Sequence, residues 1–193
     1  MLKYLVIVGA IVQSIGFYSY IKNTLSGQTK PNKVMWLMSS VPLLIGTFAA
    51  LSVGVTWAIL PAFIGGFGSF LIFLLSFVNK KSYWKLEFFD YLCGFLSLLA
   101  LILWAITKQP VIAIIFAILS DFSAGLPTLI KMIKYPETES AGPFGAGLFN
   151  ALTGFFAIKS WVFSQYIFSV YLVLVNISFL IGIYWKKILV KFK

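Results

Sequence analysis

Asp121 stands alone inside an apolar stretch, residues 111–130, that carries no other charge. The chain has five carboxylates, and the other four, Glu87, Asp90, Glu137 and Glu139, lie at or near the ends of hydrophobic segments. At bilayer depth a carboxylate costs about 3 kcal/mol on insertion scales, so it is retained for a function or with a bonded partner. Two chemistries suit it: a proton or cation site, or an acceptor for a hydroxyl or amine of a solute. The plainer alternative is a carboxyl that locks two helices together. Gln13, Asn150 and Asn176 are further polar side chains set within apolar runs. Each is a candidate ligand in a shared cavity, or else an interhelical hydrogen bond worth about 0.6 kcal/mol.

Other chemistries are excluded by what is missing. The net charge of +10 comes from fifteen Lys, with no Arg and no His. Without Arg there is no bidentate phosphate fork for nucleic acid, and without His no imidazole ligand or base. Cys93 is the single cysteine, so neither an internal disulfide nor a thiolate metal site is expected, and no cofactor is expected either. Gly65, Gly66 and Gly68 lack the strand context and following Lys of a phosphate loop and read as packing glycines.

The elements that must position these residues are membrane helices. Hydrophobic residues make up 61% of the 193 and charged residues 10%, too little polar surface for a water-soluble globule of this size. Charges punctuate the apolar runs. Eighteen uncharged residues separate Lys3 from Lys22, and 46 separate Lys33 from Lys80. The longer run is about 69 Å as helix, twice a hydrocarbon core, so it holds two spans with a turn near Gly54. Asp90 to Lys108 holds a fourth span, Pro110 starts a fifth, and the intervals Glu139 to Lys159 and Lys159 to Lys186 hold two more. The expectation is seven transmembrane helices, the first uncleaved.

Twelve lysines then fall on one side and three, Lys3, Lys108 and Lys159, on the other. The positive-inside rule puts the N-terminus outside and the C-terminus in the cytoplasm, as expected for a multi-pass protein of the cell membrane. The basic run from Lys186 to Lys193 then meets anionic lipid headgroups. Trp84 and Trp185 fall near the inner boundary, Trp104 and Trp161 near the outer one, as an interfacial belt; Trp36 and Trp57 are also candidate stacking surfaces for a ligand.

The chain also repeats itself. Ile21-Lys22 and Thr29 recur as Ile130-Lys131 and Thr138, 109 residues on, and Gly46-Thr47-Phe48-Ala49 recurs as Gly154-Phe155-Phe156-Ala157, 108 on. The 108 offset also aligns Gln13 with Asp121. The expected organisation is a first three-helix repeat (1–79), a loop with a linker helix (80–109), and a second three-helix repeat with a short basic tail (110–193). One spacer helix makes the two repeats parallel, and solutes usually bind between such halves near the midplane.

Leu126-Pro127-Thr128-Leu129-Ile130-Lys131, followed by Pro136-Glu137-Thr138-Glu139-Ser140, resembles the PQ-loop motif, with Thr128 where that motif has Gln. The 3-1-3 arrangement resembles the PQ-loop and SWEET-like transporter superfamily. The resemblance implies helix-bending prolines, here Pro42 and Pro127 as hinges, with Pro143 in the same role in helix six. It also implies a helix-seven asparagine as solute ligand, matched in position by Asn176. Lys22, Lys30, Glu137 and Glu139 occupy corresponding inner loops and are candidates for an inner gate of ion pairs across the repeats.

The functional expectation is a carrier moving a small polar solute (a sugar, an amino acid or a nucleoside-like molecule) by alternating access. Gln13, Asp121, Asn150 and Asn176 would line its cavity, with Asp121 carrying a coupling proton. A non-transporting membrane sensor or assembly partner, with a binding partner and no flux, is the alternative. A retinal protein is disfavoured because helix seven has no Lys at mid-depth, and a hydrolase because there is no His and no carboxylate pair. The expected partners are the solute, the bilayer and a second copy of the chain, with no nucleic acid.

Overall fold

The computed structural model describes residues 4–52, 60–107, 110–156 and 163–191. Among them are seven α-helices and no strand, an all-α fold. The helices are α1 (Leu5–Leu25), α2 (Lys33–Ser52), α3 (Leu60–Leu75), α4 (Phe88–Thr107), α5 (Pro110–Lys134), α6 (Gly142–Phe155) and α7 (Phe163–Lys191). Two single 3-10 turns, Lys80–Ser82 and Pro136–Thr138, lie in the loops. Among the described residues one helix, Leu5–Leu25, is long and apolar enough to cross a membrane by length and composition. The expected turn at Gly54, the candidate stacking ring of Trp57, and Lys3, Lys108, Lys159, Trp161 and Lys193 lie outside the described residues.

Local chemistry sets the helix ends. Gly27, at φ +81°, takes the left-handed turn that ends α1, and the Ser26 N–H donates back to the Lys22 carbonyl. Asn32 caps α2, its Oδ1 accepting from the N–H groups of Val34 and Met35. Pro143 sits in the first turn of α6, where its missing N–H costs nothing. It therefore starts that helix, whereas Pro42 and Pro127 lie inside α2 and α5.

The packing is ordered by triplets. α3 packs on both α1 and α2, and α7 on both α5 and α6. Between the triplets α1 packs on α6 and α2 on α5, while α4 lies against α5 and α2. The end of α1 at Leu25 and of α5 at Lys134 stand 109 residues apart, as do the starts of α2 at Lys33 and α6 at Gly142.

The α1–α6 contact is close because glycines on α1 leave room for α6 there. A Cβ on Gly9 would meet Asn150 and Thr153, and one on Gly16 would meet Ala146 and the Gly142 carbonyl. Gly9, Gln13, Gly16 and Tyr20, spaced four, three and four apart, thus share the face of α1 that meets α6. Gly66 and Gly68 of α3 play the packing part expected of them, against Leu43 and Leu44 and against the Phe17 ring. The core cluster of Phe17, Tyr20, Trp36, Met132, Phe144 and Phe179 draws on α1, α2, α5, α6 and α7.

Candidate functional site

A cavity of about 90 Å³ lies where the two triplets meet, with Gln13, Ser39, Ser69, Asp121 and Asn176 among its walls. Three of the four residues expected to bind solute therefore line one space. α1 brings Gln13, α5 brings Asp121 and α7 brings Asn176.

Asp121 is held from two sides. The Ser39 hydroxyl on α2 donates to its Oδ1 at 2.6 Å, and the Tyr171 hydroxyl on α7 donates to Oδ2 at 2.7 Å. Among the described residues no lysine lines the cavity, and the two donors to the carboxylate, Ser39 and Tyr171, are neutral hydroxyls. Neither Ser39 nor Tyr171 was legible as a partner. Ser39 lies one turn before Pro42, and Tyr171 lies among apolar residues of α7, without any motif.

Asn150 does not line the cavity. It is buried behind Gln13 and donates its amide N–H to the Gln13 carbonyl oxygen, while its own Oδ1 has no hydrogen-bond partner. Asn176 donates to the Leu172 carbonyl of its own helix, and its carboxamide lies against Gly147 of α6. The α1–α6 and α2–α5 contacts between the triplets thus each include a polar pair, Gln13–Asn150 and Asp121–Ser39 respectively.

Aromatic rings line and adjoin the cavity. Trp36 meets Phe17, Tyr20 and Phe144 at ring centroid distances of 6.3, 5.1 and 6.0 Å, and Phe144 meets Phe179 at 5.0 Å. The Trp36 indole N–H is buried near the Tyr20 hydroxyl but outside hydrogen-bonding geometry. Tyr20 lies seven residues beyond Gln13 on α1, about 10 Å along the helix.

Tyr20 begins a polar lock. Its hydroxyl donates to Glu139 Oε2 at 2.6 Å, and Glu139 Oε1 pairs with the Lys131 ammonium at 2.5 Å, both side chains being almost wholly buried. The same ammonium donates to the Lys30 carbonyl and lies 4.6 Å from the centre of the Trp84 ring. The Lys30 N–H donates to the Thr138 carbonyl, joining the two corresponding loops directly.

The expected gate residues are therefore rearranged. Glu139 pairs with Lys131 of its own triplet, not with Lys22 or Lys30; Lys22 and Glu137 are exposed, and Lys30 contributes only backbone to the lock. A carboxylate excluded from water takes the cation that the preceding helix of its own triplet buries beside it, while the exposed lysines stay hydrated.

The linker also closes on this end. Asn32 donates to Asp90 at 2.5 Å, Ser82 to the Thr24 carbonyl, and Asn79 to the Leu25 carbonyl at 2.7 Å. Among the described residues no three His, Cys, Asp or Glu side chains converge as a metal site. Compared with known proteins, the chain matches no family model, no curated protein and no solved structure.

Proposed function

We propose that this chain is a membrane carrier for a small polar solute, working by alternating access between two three-helix halves in the manner of the PQ-loop and SWEET-like superfamily it resembles. The observation that carries this reading is the cavity at the junction of the triplets, lined by Asp121, Gln13 and Asn176. A neutral-bonded carboxylate in a small cavity is suited to meet a proton, a cation or a solute donor.

Several features support the membrane setting. Mean hydropathy is +0.99, and large apolar side chains face outward along α4, including Phe88, Phe95 and Ile106. A soluble protein rarely exposes so continuous an apolar surface. The Tyr20–Glu139–Lys131 lock and the rings around Trp36 form the closed gate at the lysine-rich end, which is cytoplasmic in this reading. Opening it requires the loops carrying Lys30 and Thr138 to part. Pro42 and Pro127 are the proposed hinges, because each removes a backbone hydrogen bond within its helix.

The test is flux into proteoliposomes for a panel of sugars, amino acids and nucleosides, with an internal pH dye. Saturable flux with proton movement that Asp121→Asn abolishes is the expected result. Flux without proton movement would keep the carrier and remove the coupling role of Asp121. No flux from well-folded protein would move the assignment to a sensor or assembly partner.

A further inference from the structure

A groove of about 210 Å³ lies beside the central cavity, between α5 and α7. α5 lines it with Phe122, Gly125 and Leu129, and α7 with Tyr171, Leu174 and Phe179. From Phe122 to Leu129 it follows α5 for about 10 Å. Gly125 contributes no side chain, and a Cβ there would stand 3.1 Å from the Phe179 ring. Phe122 and Leu174 are exposed, so the groove opens on the outer surface of the helices. Apart from the hydroxyls of Tyr171 and Ser178, the described side chains lining it are apolar, and Ser178 donates to the Leu174 carbonyl.

The groove adjoins a charge. Val175 and Phe179 line both the groove and the central cavity and form the partition between them. Tyr171 lines the groove while its hydroxyl donates to Asp121 Oδ2, and Asp121 directly precedes Phe122 on α5. Among the described residues lining either space, Asp121 alone is charged. The Ser39 and Tyr171 hydroxyls hydrogen-bond its carboxylate but bring no positive charge, so its complement is a cation. On the cavity side the rings of Trp36 and Phe144 offer faces that attract an ammonium group. A sugar leaves the carboxylate unbalanced, and an amino acid adds a second carboxylate that no cation lining the space meets. A metal ion has no use for the apolar groove. A cation with an apolar tail fits both parts.

We infer that Asp121 and the α5–α7 groove together form a binding site for a lipophilic amine, its ammonium group on the Asp121 carboxylate and its hydrocarbon tail between Gly125, Leu129 and Leu174. The inference rests on the reading of Asp121 as the solute site and narrows the solute to one chemical class. The Tyr171 side chain stands between head and tail, so its turning joins the two spaces. Because the groove opens on the outer face of the helices, such an amine reaches the site from the bilayer.

The test is equilibrium binding of radiolabelled hexylamine to the full chain in detergent near neutral pH, where the amine is charged, with melting temperature as a second readout. Hexanol supplies the tail without the charge, and ethylamine and sodium the charge without the tail. The wild type is expected to bind hexylamine saturably and to melt higher with it, whereas each comparison competes about tenfold more weakly or worse. Asp121→Asn should lose the preference for hexylamine over hexanol. Leu174→Trp, which places an indole over the groove at an exposed position, should weaken hexylamine binding on the order of tenfold. Leu152→Trp, on an exposed position of α6 outside the groove, should bind as the wild type does. If Asp121→Asn does not fold, the hexylamine and hexanol affinities of the wild type and Leu174→Trp decide. Hexanol or ethylamine binding as well as hexylamine, undiminished binding in Leu174→Trp, or no saturable binding to the wild type overturns the site. Flux of a sugar, amino acid or nucleoside by a chain that binds no amine would overturn this site and leave the carrier. Saturable amine binding without flux would keep the site and move the assignment to a sensor.

Discussion

Glu139 accepts a hydrogen bond from Tyr20, 119 residues earlier in the chain, while its other oxygen pairs with Lys131. One buried carboxylate thus joins α1 of the first triplet to α5 of the second. Removing one partner of a buried pair leaves the other charge uncompensated and costs about 3–5 kcal/mol. Lys131→Met should therefore destabilise strongly in a detergent melt. The double variant Lys131→Met/Glu139→Gln should recover much of that loss. Additive losses would show that the two do not act as a pair.

Tyr20→Phe tests the gate separately from the pair. It removes a single donor to a charged acceptor, an effect of about 1.5–3 kcal/mol. Because the bond crosses between triplets, the variant should loosen the lysine-rich end. A cysteine placed at Thr138 in a Cys93→Ala background should then react faster with a water-soluble thiol reagent than it does without Tyr20→Phe. An unchanged labelling rate would remove Tyr20 from the gate.

Ser39→Ala and Tyr171→Phe each take one donor from Asp121. Both should weaken saturable flux less than Asp121→Asn, and together they should be more than additive, because the carboxylate loses both neutral partners. The readout is initial flux against solute concentration. Independent, additive effects would show that Asp121 is not jointly held.

Gly16→Leu should disrupt the α1–α6 contact, since even a Cβ at that position meets Ala146 and the Gly142 carbonyl. Overpacking of this kind costs about 1–3 kcal/mol or more. Gly145→Ala is the matched control, because a Cβ there meets nothing within 4 Å. Comparable unfolding midpoints for the two variants would contradict the close approach.

Trp36→Phe keeps an aromatic ring beside Tyr20 and Phe144 while removing a buried N–H that has no hydrogen-bond partner. An unmet buried donor costs about 1–3 kcal/mol, offset here by the smaller ring leaving space. Trp36→Phe should thus be tolerated, whereas Trp36→Ala should lower the melting temperature clearly. A large loss for Trp36→Phe would point to an indole partner that forms in another state of the gate.

The sequence by itself determined the helical class and the places of most of the helices, because charges punctuate the apolar runs and Pro110 begins α5 where it can be accommodated. The 109-residue offset was also legible, and it recurs in the ends of α1 and α5 and the starts of α2 and α6. Asp121 announced itself because a lone carboxylate stands out against an apolar background.

Its partners did not. Ser39 and Tyr171 are ordinary residues for their helices, and only the packing of α2 and α7 against α5 brings their hydroxyls to the carboxylate. Lys131 looked like one more lysine of the basic side, yet tertiary structure buries it with Glu139 and leaves Lys22, its counterpart 109 residues earlier, exposed. Spacing along the chain reports which residues share a helix face. Which faces meet, and which charge is then taken from water, depends on contacts between residues more than a hundred positions apart, and tertiary packing alone decides those.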